Sequence, residues 1–190
     1  MIPIGTVIDS PQTGERLIFR STSDSSGGSL FQAELIVQPG SYVVQSHIHP
    51  NQEERFVVLE GRYGWEIGKR RGVAGPGETL VCPVGVPHSQ WNAGDTPMRI
   101  YYEHRPALTS AEIFFETQFG LSREGKLSPA GRIGLLQAAV LVHDVGDFIR
   151  PAFPPIAMQD VLFPPLAALG RRCGYRARYA RYGATGAATS

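Results

Sequence analysis

Between Glu15 and about Arg105 the apolar residues fall in short runs rich in β-branched and aromatic side chains. Leu17–Phe19, Leu30–Val37, Tyr42–Val44, Phe56–Leu59, Tyr63–Ile67, Thr79–Val81 and Met98–Tyr102 make up the series. In the second of them Phe31, Ala33, Leu35 and Val37 alternate with mostly polar neighbours, the period of a strand with one face in a core. Turn residues separate the runs: Ser25-Ser26-Gly27-Gly28, Pro39-Gly40, Glu60-Gly61, Gly75-Pro76-Gly77, Val84-Gly85 and Gly94-Asp95. Short strands so punctuated predict a β-sandwich or small barrel over residues 1–105.

After Pro106 the pattern becomes helical. Thr109-x-x-Glu112 has the form of a capping box and opens a segment containing Ile113, Phe114 and Phe115. Ser128-Pro129 predicts an N-cap and first helical residue ahead of Ile133–His143. Phe153-Pro154-Pro155 and Phe163-Pro164-Pro165 predict two further helix starts with proline in the first turn, the second helix ending at Gly170. Residues 106–182 therefore read as a helical extension packed on the β part, too apolar for an exposed appendage, and 183–190 as a frayed, disordered tail.

Composition supports one β-rich unit. The 22 glycines and 15 prolines, with no low-complexity tract, fit many tight turns, and 42% apolar against 18% charged residues fits a packed core. Eighteen Lys and Arg against 17 Asp and Glu leave a net charge of +1, which removes the broad basic footprint of a nucleic-acid binder. Cys82 and Cys173 form neither a disulfide framework nor a cysteine-rich zinc site, and Met1–Ser10 has no signal-peptide pattern. A cytoplasmic protein is expected. The longest apolar run, Leu135–Val142, is interrupted by Gln137 and is too short to span a bilayer, so no transmembrane segment is expected.

The β half also carries a set of metal-type ligands. His47 and His49 are two apart, so on a strand both imidazoles point to one face. The turn Pro50-Asn51-Gln52 and two acids, Glu53 and Glu54, follow; His88 comes after the turn Pro83–Pro87. Three imidazoles and one carboxylate converging inside a barrel suit a divalent transition metal: imidazole fits Fe, Ni, Cu and Zn, and a carboxylate supports Fe or Mn.

The spacing around these ligands is specific. Gly77, Pro83, Gly85, His88 and Asn92 fit G-x5-P-x-G-x2-H-x3-N, and Gly40, His47, His49, Glu54 and Gly61 fit G-x6-H-x-H-x4-E-x6-G. Together they resemble the two signature motifs of the cupin superfamily over roughly residues 30–104, with one residue more than usual between Gly40 and His47. The resemblance implies a double-stranded β-helix, or jelly-roll barrel, of six to eight strands with a metal inside. It selects Glu54 over Glu53, because Glu54 alone leaves six residues before Gly61. The implied ligands are His47, His49, Glu54 and His88, and the implied assembly is a homodimer.

Other residues are candidates for substrate contact. If His88 points inward, Gln90 does too, one pleat from the metal. Tyr63 and Trp65 share a strand face that we expect to line the cavity, although core packing explains them equally well. On the last strand Ile100, Tyr102 and His104 oppose Arg99, Tyr101 and Glu103; either face can be the inner one, so Tyr101 or Tyr102 can wall the site and Glu103 or His104 can serve as its acid or base. Five arginines between Arg171 and Arg181, interleaved with tyrosines, have the form of a nucleic-acid or anionic-membrane patch but read more simply as solvated or paired with acidic surface. The expected function is a metal-dependent oxidoreductase of dioxygenase type, with Fe(II) favoured, acting on an aromatic or polyketide-like small molecule. A redox-neutral cyclase, isomerase or lyase using Zn, Ni or Mn, and a non-catalytic small-molecule binder, are the alternatives.

Overall fold

A computed structural model describes residues 2–41, 45–128 and 130–183. Its strands are β1 (Val7–Ser10), β2 (Glu15–Ser21), β3 (Phe31–Val37), β4 (His47–Ile48), β5 (Glu53–Glu60), β6 (Tyr63–Ile67), β7 (Arg70–Ala74), β8 (Thr79–Cys82), β9 (His88–Asn92), β10 (Met98–Arg105) and β11 (Arg150–Pro151). Three helices follow β10 in the chain: α1 (Thr109–Arg123), α2 (Leu135–Val145) and α3 (Ile156–Arg172). The strands form two antiparallel sheets, of order β1-β2-β3-β10-β5-β8 and β11-β4-β9-β6-β7. This is the mainly β fold with a C-terminal helical part that the sequence pattern predicts.

Alternation decides what faces the core. On β3, Phe31, Ala33, Leu35 and Val37 are buried as expected, and so is Glu34 on the other face. Its carboxylate is held between Arg20 and Arg99, each with a 2.5 Å contact, so the buried charge is paired. On β10, Ile100, Tyr102 and His104 face inward, against Val58, Phe56 and Glu54 of β5. Three strands were not legible: β1, the two-residue β11 within the part read as helical, and the edge strand β7, whose Arg70-Arg71-Gly72 start hides the period expected of a half-buried strand.

The motif glycines are turn devices. Gly61 joins β5 to β6 at φ +80°, and a Cβ there would lie 2.9 Å from the Met98 Cα and the Pro97 carbonyl oxygen. Gly61→Ala should therefore cost about 1–3 kcal/mol for the left-handed conformation alone; a denaturation midpoint equal to that of the unsubstituted protein would refute this. Asn92 does not serve the interior: its amide donates to the carbonyls of Val37 and Thr96 and its oxygen accepts from the Gly94 N–H, fixing the following turn.

The helical part differs in detail from the sequence reading. Glu112 does not close a capping box; its carboxylate accepts from the Ser23 N–H and hydroxyl, both at 2.7 Å, and so ties α1 to the β2–β3 turn. Helix α2 starts at Leu135 after Gly134, not at Ser128-Pro129, and Pro129 lies outside the described residues. The two Phe-Pro-Pro segments do not start two helices. The first precedes α3, while Pro164 and Pro165 sit inside it. The prolines forgo their N–H bonds, but α3 is held by close packing on α2: a Cβ on Gly170 would lie 2.8 Å from the Leu136 carbonyl oxygen. Tyr42–Val44, where the extra residue of the first motif falls, and residues 184–190 of the expected tail also lie outside the described residues.

The extension is part of the barrel's closure. Strand β11 pairs with β4, placing Pro151 opposite His47. Phe148 is fully buried, with its ring centroid 4.8 Å from His49, 4.9 Å from His104 and 5.6 Å from Phe114. The terminal arginines turn back onto the protein: Arg171 pairs with Asp144, Arg178 with Glu116 and Arg181 with Glu124. No helix among the described residues is long and apolar enough to cross a membrane.

Candidate metal centre and its cavity

Strand pairing brings the four ligand-type residues together. His47 of β4 lies opposite His88 of β9, and Glu54 of β5 approaches from the facing sheet. One ligand atom from each of His47, His49, Glu54 and His88 lies within 4.8 Å of all the others, and all four residues are buried. Of the two acids that open β5, Glu54 is buried and Glu53 exposed.

Each imidazole is oriented from behind. Nδ1 of His47 lies 2.8 Å from the Gln45 carbonyl, Nδ1 of His49 2.6 Å from the Phe148 carbonyl, and Nδ1 of His88 2.9 Å from the Val86 carbonyl. A carbonyl only accepts, so these contacts assign a proton to each Nδ1, and a ring in its neutral form, the form that binds a metal, carries its lone pair on Nε2. Gly85, in the left-handed conformation at φ +72°, lets its N–H reach the His49 carbonyl at 2.9 Å, which couples the turn before His88 to the first histidine pair. The Cys82 thiol lies 3.0 Å from His88 Nδ1, packed behind the ring.

The front of the cluster lacks partners. Nε2 of His49, Nε2 of His88 and both oxygens of Glu54 are buried without a well-formed hydrogen bond, although His88 Nε2 stands 2.5 Å from Glu54 Oε2. Burial pushes His47 down to about 3, helped by the neighbouring His88 and His49. Burial would raise Glu54, but the His88 and His49 imidazoles hold it well below the usual carboxylate range. Burial would likewise lower His88, but Glu54 and then Cys82 push it up to about 11. Unpaired buried polar atoms are costly, and here they converge with the chemistry and spacing that a divalent transition metal takes. The residues present fit such an ion.

His104 lies one layer behind. It is fully buried opposite Glu54, with Nε2 3.7 Å from Glu54 Oε1 and neither ring nitrogen hydrogen-bonded. Burial, then His49, holds it well below the ordinary histidine range.

Two adjoining cavities lie beside the cluster, which meets them through His47. The inner one, about 60 Å³, is lined by Gln90, Tyr102, Leu35 and Phe115 among others; the outer one, about 240 Å³, is walled largely by the extension through Ile133, Leu141 and Val142. Glu15, His47, Phe114, Gln118 and Ile149 border both.

The candidate substrate residues separate accordingly. Gln90 and Tyr102 border the inner cavity, and the side-chain oxygen of Gln90 is buried without a partner. Tyr63 lies in the core against Phe56, with ring centroids 5.0 Å apart. Trp65 is half-buried and covers Gly72 of β7. Tyr101 and Glu103 are on the outer face of β10; Glu103 accepts from Gln32 at 2.7 Å and Arg105 at 3.0 Å, so it is not brought to the cluster. Glu15, Phe114 and Gln118 were missed by sequence reasoning. For Glu15 a signal existed: Glu15, Leu17 and Phe19 share one face of β2, and Leu17 and Phe19 are fully buried.

The fold and the cluster define a class: a double-sheet β-barrel whose interior presents three histidines and one carboxylate to a common point. Residues 33–102 match the family model of the cupin domain. The chain is similar to solved structures of the same fold. A predicted oxalate decarboxylase from Thermotoga maritima is 17% identical with a TM-score of 0.48, the match covering 56% of this chain and 98% of that one. KdgF from Halomonas sp. is 16% identical with a TM-score of 0.46, covering 52% and 85%. An RmlC-like cupin from Shewanella frigidimarina is 17% identical with a TM-score of 0.46, covering 53% and 83%. No curated protein matches the sequence significantly.

Proposed function

We propose that the protein is a metal-dependent enzyme that oxidises a small organic molecule with dioxygen, and that His47, His49, Glu54 and His88 hold its single divalent ion, Fe(II) first. The observation that carries this reading is the junction of cluster and cavity. Three imidazoles with their protons turned away and one carboxylate meet where His47 borders both the inner and outer chambers. Iron held there would supply Lewis acidity and redox capacity beside the substrate, with coordination positions left open by the four protein ligands.

The chain's own residues do the rest. Phe114, Leu141 and Val142 exclude water and give an apolar wall suited to a ring or hydrocarbon body. The unpartnered Gln90 oxygen is placed to accept a hydrogen bond from a substrate hydroxyl in the inner cavity. Phe148 and the Phe148 carbonyl fix the His49 ring, so the extension belongs to the site.

A redox-neutral cyclase, isomerase or lyase with Zn or Ni is favoured by one observation, the carboxyl of Glu15 in the cavity wall, which offers proton transfer. Oxygen consumption by iron-reconstituted protein over diketones, catechols and hydroxy-aromatic acids separates the two. We expect substrate-dependent oxygen uptake that vanishes in the zinc form. Anaerobic turnover by the zinc form with no uptake by the iron form would replace the oxidative reading.

A further inference from the structure

We propose that Glu15 is a substrate-contacting proton acceptor of this site, and that the substrate class is a phenol or enol with an apolar body whose hydroxyl proton passes to Glu15. The proposal deepens the reading above and rests on it. Glu15 opens β2 on the same face as the buried Leu17 and Phe19, and its half-buried side chain forms part of the cavity wall. It borders both the inner and the outer cavity, together with His47, and among the described residues no other carboxylate does.

Its surroundings leave it available. Glu15 Oε2 accepts from the Thr13 hydroxyl at 2.6 Å; among the described residues Oε1 has no hydrogen bond and the carboxylate no ion pair. The titratable and charged groups that share its cavity walls are His47, Tyr102 and Arg132. Neighbouring Arg16 points the other way and pairs with Asp9 at 2.6 Å. Burial pushes Glu15 up to about 7, with the Thr13 hydroxyl opposing, which suits an acid-base group working near neutrality. Apolar Phe114 and Ile149 beside it disfavour a permanent charge, so the carboxyl can cycle between ionised and neutral forms.

The step balances without another reagent. The O–H bond of the phenol or enol breaks, its proton forms a bond to Glu15 Oε1, and the electron pair stays on the substrate oxygen facing the cluster. Arg132 is exposed at the outer cavity, where its guanidinium faces the Gln45 amide.

The test uses 4-nitrocatechol, a visible chelating phenol, titrated into zinc-loaded full-length protein near pH ~8, where an acid of this kind is mostly ionised. Proton exchange is read by calorimetry in two buffers of different ionisation enthalpy. Glu15→Gln should keep full zinc content, bind the dye about tenfold more weakly, and release about one more proton per site to the buffer than the unsubstituted protein. Glu15→Asp should restore part of the proton uptake. Equal affinity and equal proton release in Glu15→Gln would overturn the proposal, as would zinc-loaded protein that does not bind the dye. Failure of the parent reading looks different: the iron-reconstituted protein would consume no oxygen with any substrate offered, whatever the zinc form does with the dye.

Discussion

Glu54→Ala should reduce bound metal from about one equivalent per chain to near zero, whereas Glu53→Ala should leave it unchanged. The two residues are adjacent and chemically identical, so only placement separates them. Glu54 is fully buried, with Oε2 2.5 Å from His88 Nε2 and Oε1 3.5 Å from His49 Nε2, while Glu53 is exposed at the start of β5. Without the carboxylate, the ion would be held by imidazoles alone with its charge uncompensated in a dry interior. His49→Ala and His88→Ala should behave like Glu54→Ala, because their Nε2 atoms have no other partner. Elemental analysis of desalted protein gives the readout, with circular dichroism showing that the variants fold. Retention of metal by Glu54→Ala and loss by Glu53→Ala would place the wrong acid at the centre.

The cluster was legible because His47, His49 and Glu54 are close in sequence and His88 follows a strong turn. His47 and His49 need only the strand period to share a face, and Gly61 and Gly85 occupy left-handed turns that a side chain would strain. The cavity was not legible, because its walls come from three distant segments. Glu15 opens β2, Phe114 and Gln118 lie on α1, and Leu141 and Val142 lie on α2; nothing local says that these faces meet. The choice of inner face on β10 also needed tertiary information. Both faces carry a tyrosine and a titratable group, and only the pairing of His104 with Glu54 and Phe31 sends Tyr102 and His104 inward. Proline misled the reading of α3, since Pro164 and Pro165 look like a start in sequence but are tolerated inside a helix whose Ala167 and Gly170 pack on α2.

A chain ended after Arg105 should fail to yield soluble, metal-loaded protein, even though it keeps all four ligands. The truncation removes three things that the barrel uses. It strips Phe115 and Phe148 from the rings of Phe31, Tyr102 and His104, which stand within about 6 Å of them. It deletes β11, the edge partner of β4, on which His47 sits. It also removes the Phe148 carbonyl that takes the His49 Nδ1 proton, leaving that buried donor unpaired and the ligand ring free to turn. A milder variant separates packing from truncation. Phe148→Ala should destabilise the fold by about 3–5 kcal/mol, and it should weaken metal binding by roughly 10–100-fold as the shifted backbone loosens His49. Thermal melts with and without added metal measure both effects: the metal-dependent rise in melting temperature should shrink along with the melting temperature itself. Limited proteolysis of the intact protein supplies the opposing outcome. A stable core ending near Arg105 that stays soluble and keeps its metal would make residues 106–182 a detachable appendage, and the wall they lend to the outer cavity would then be dispensable to the centre.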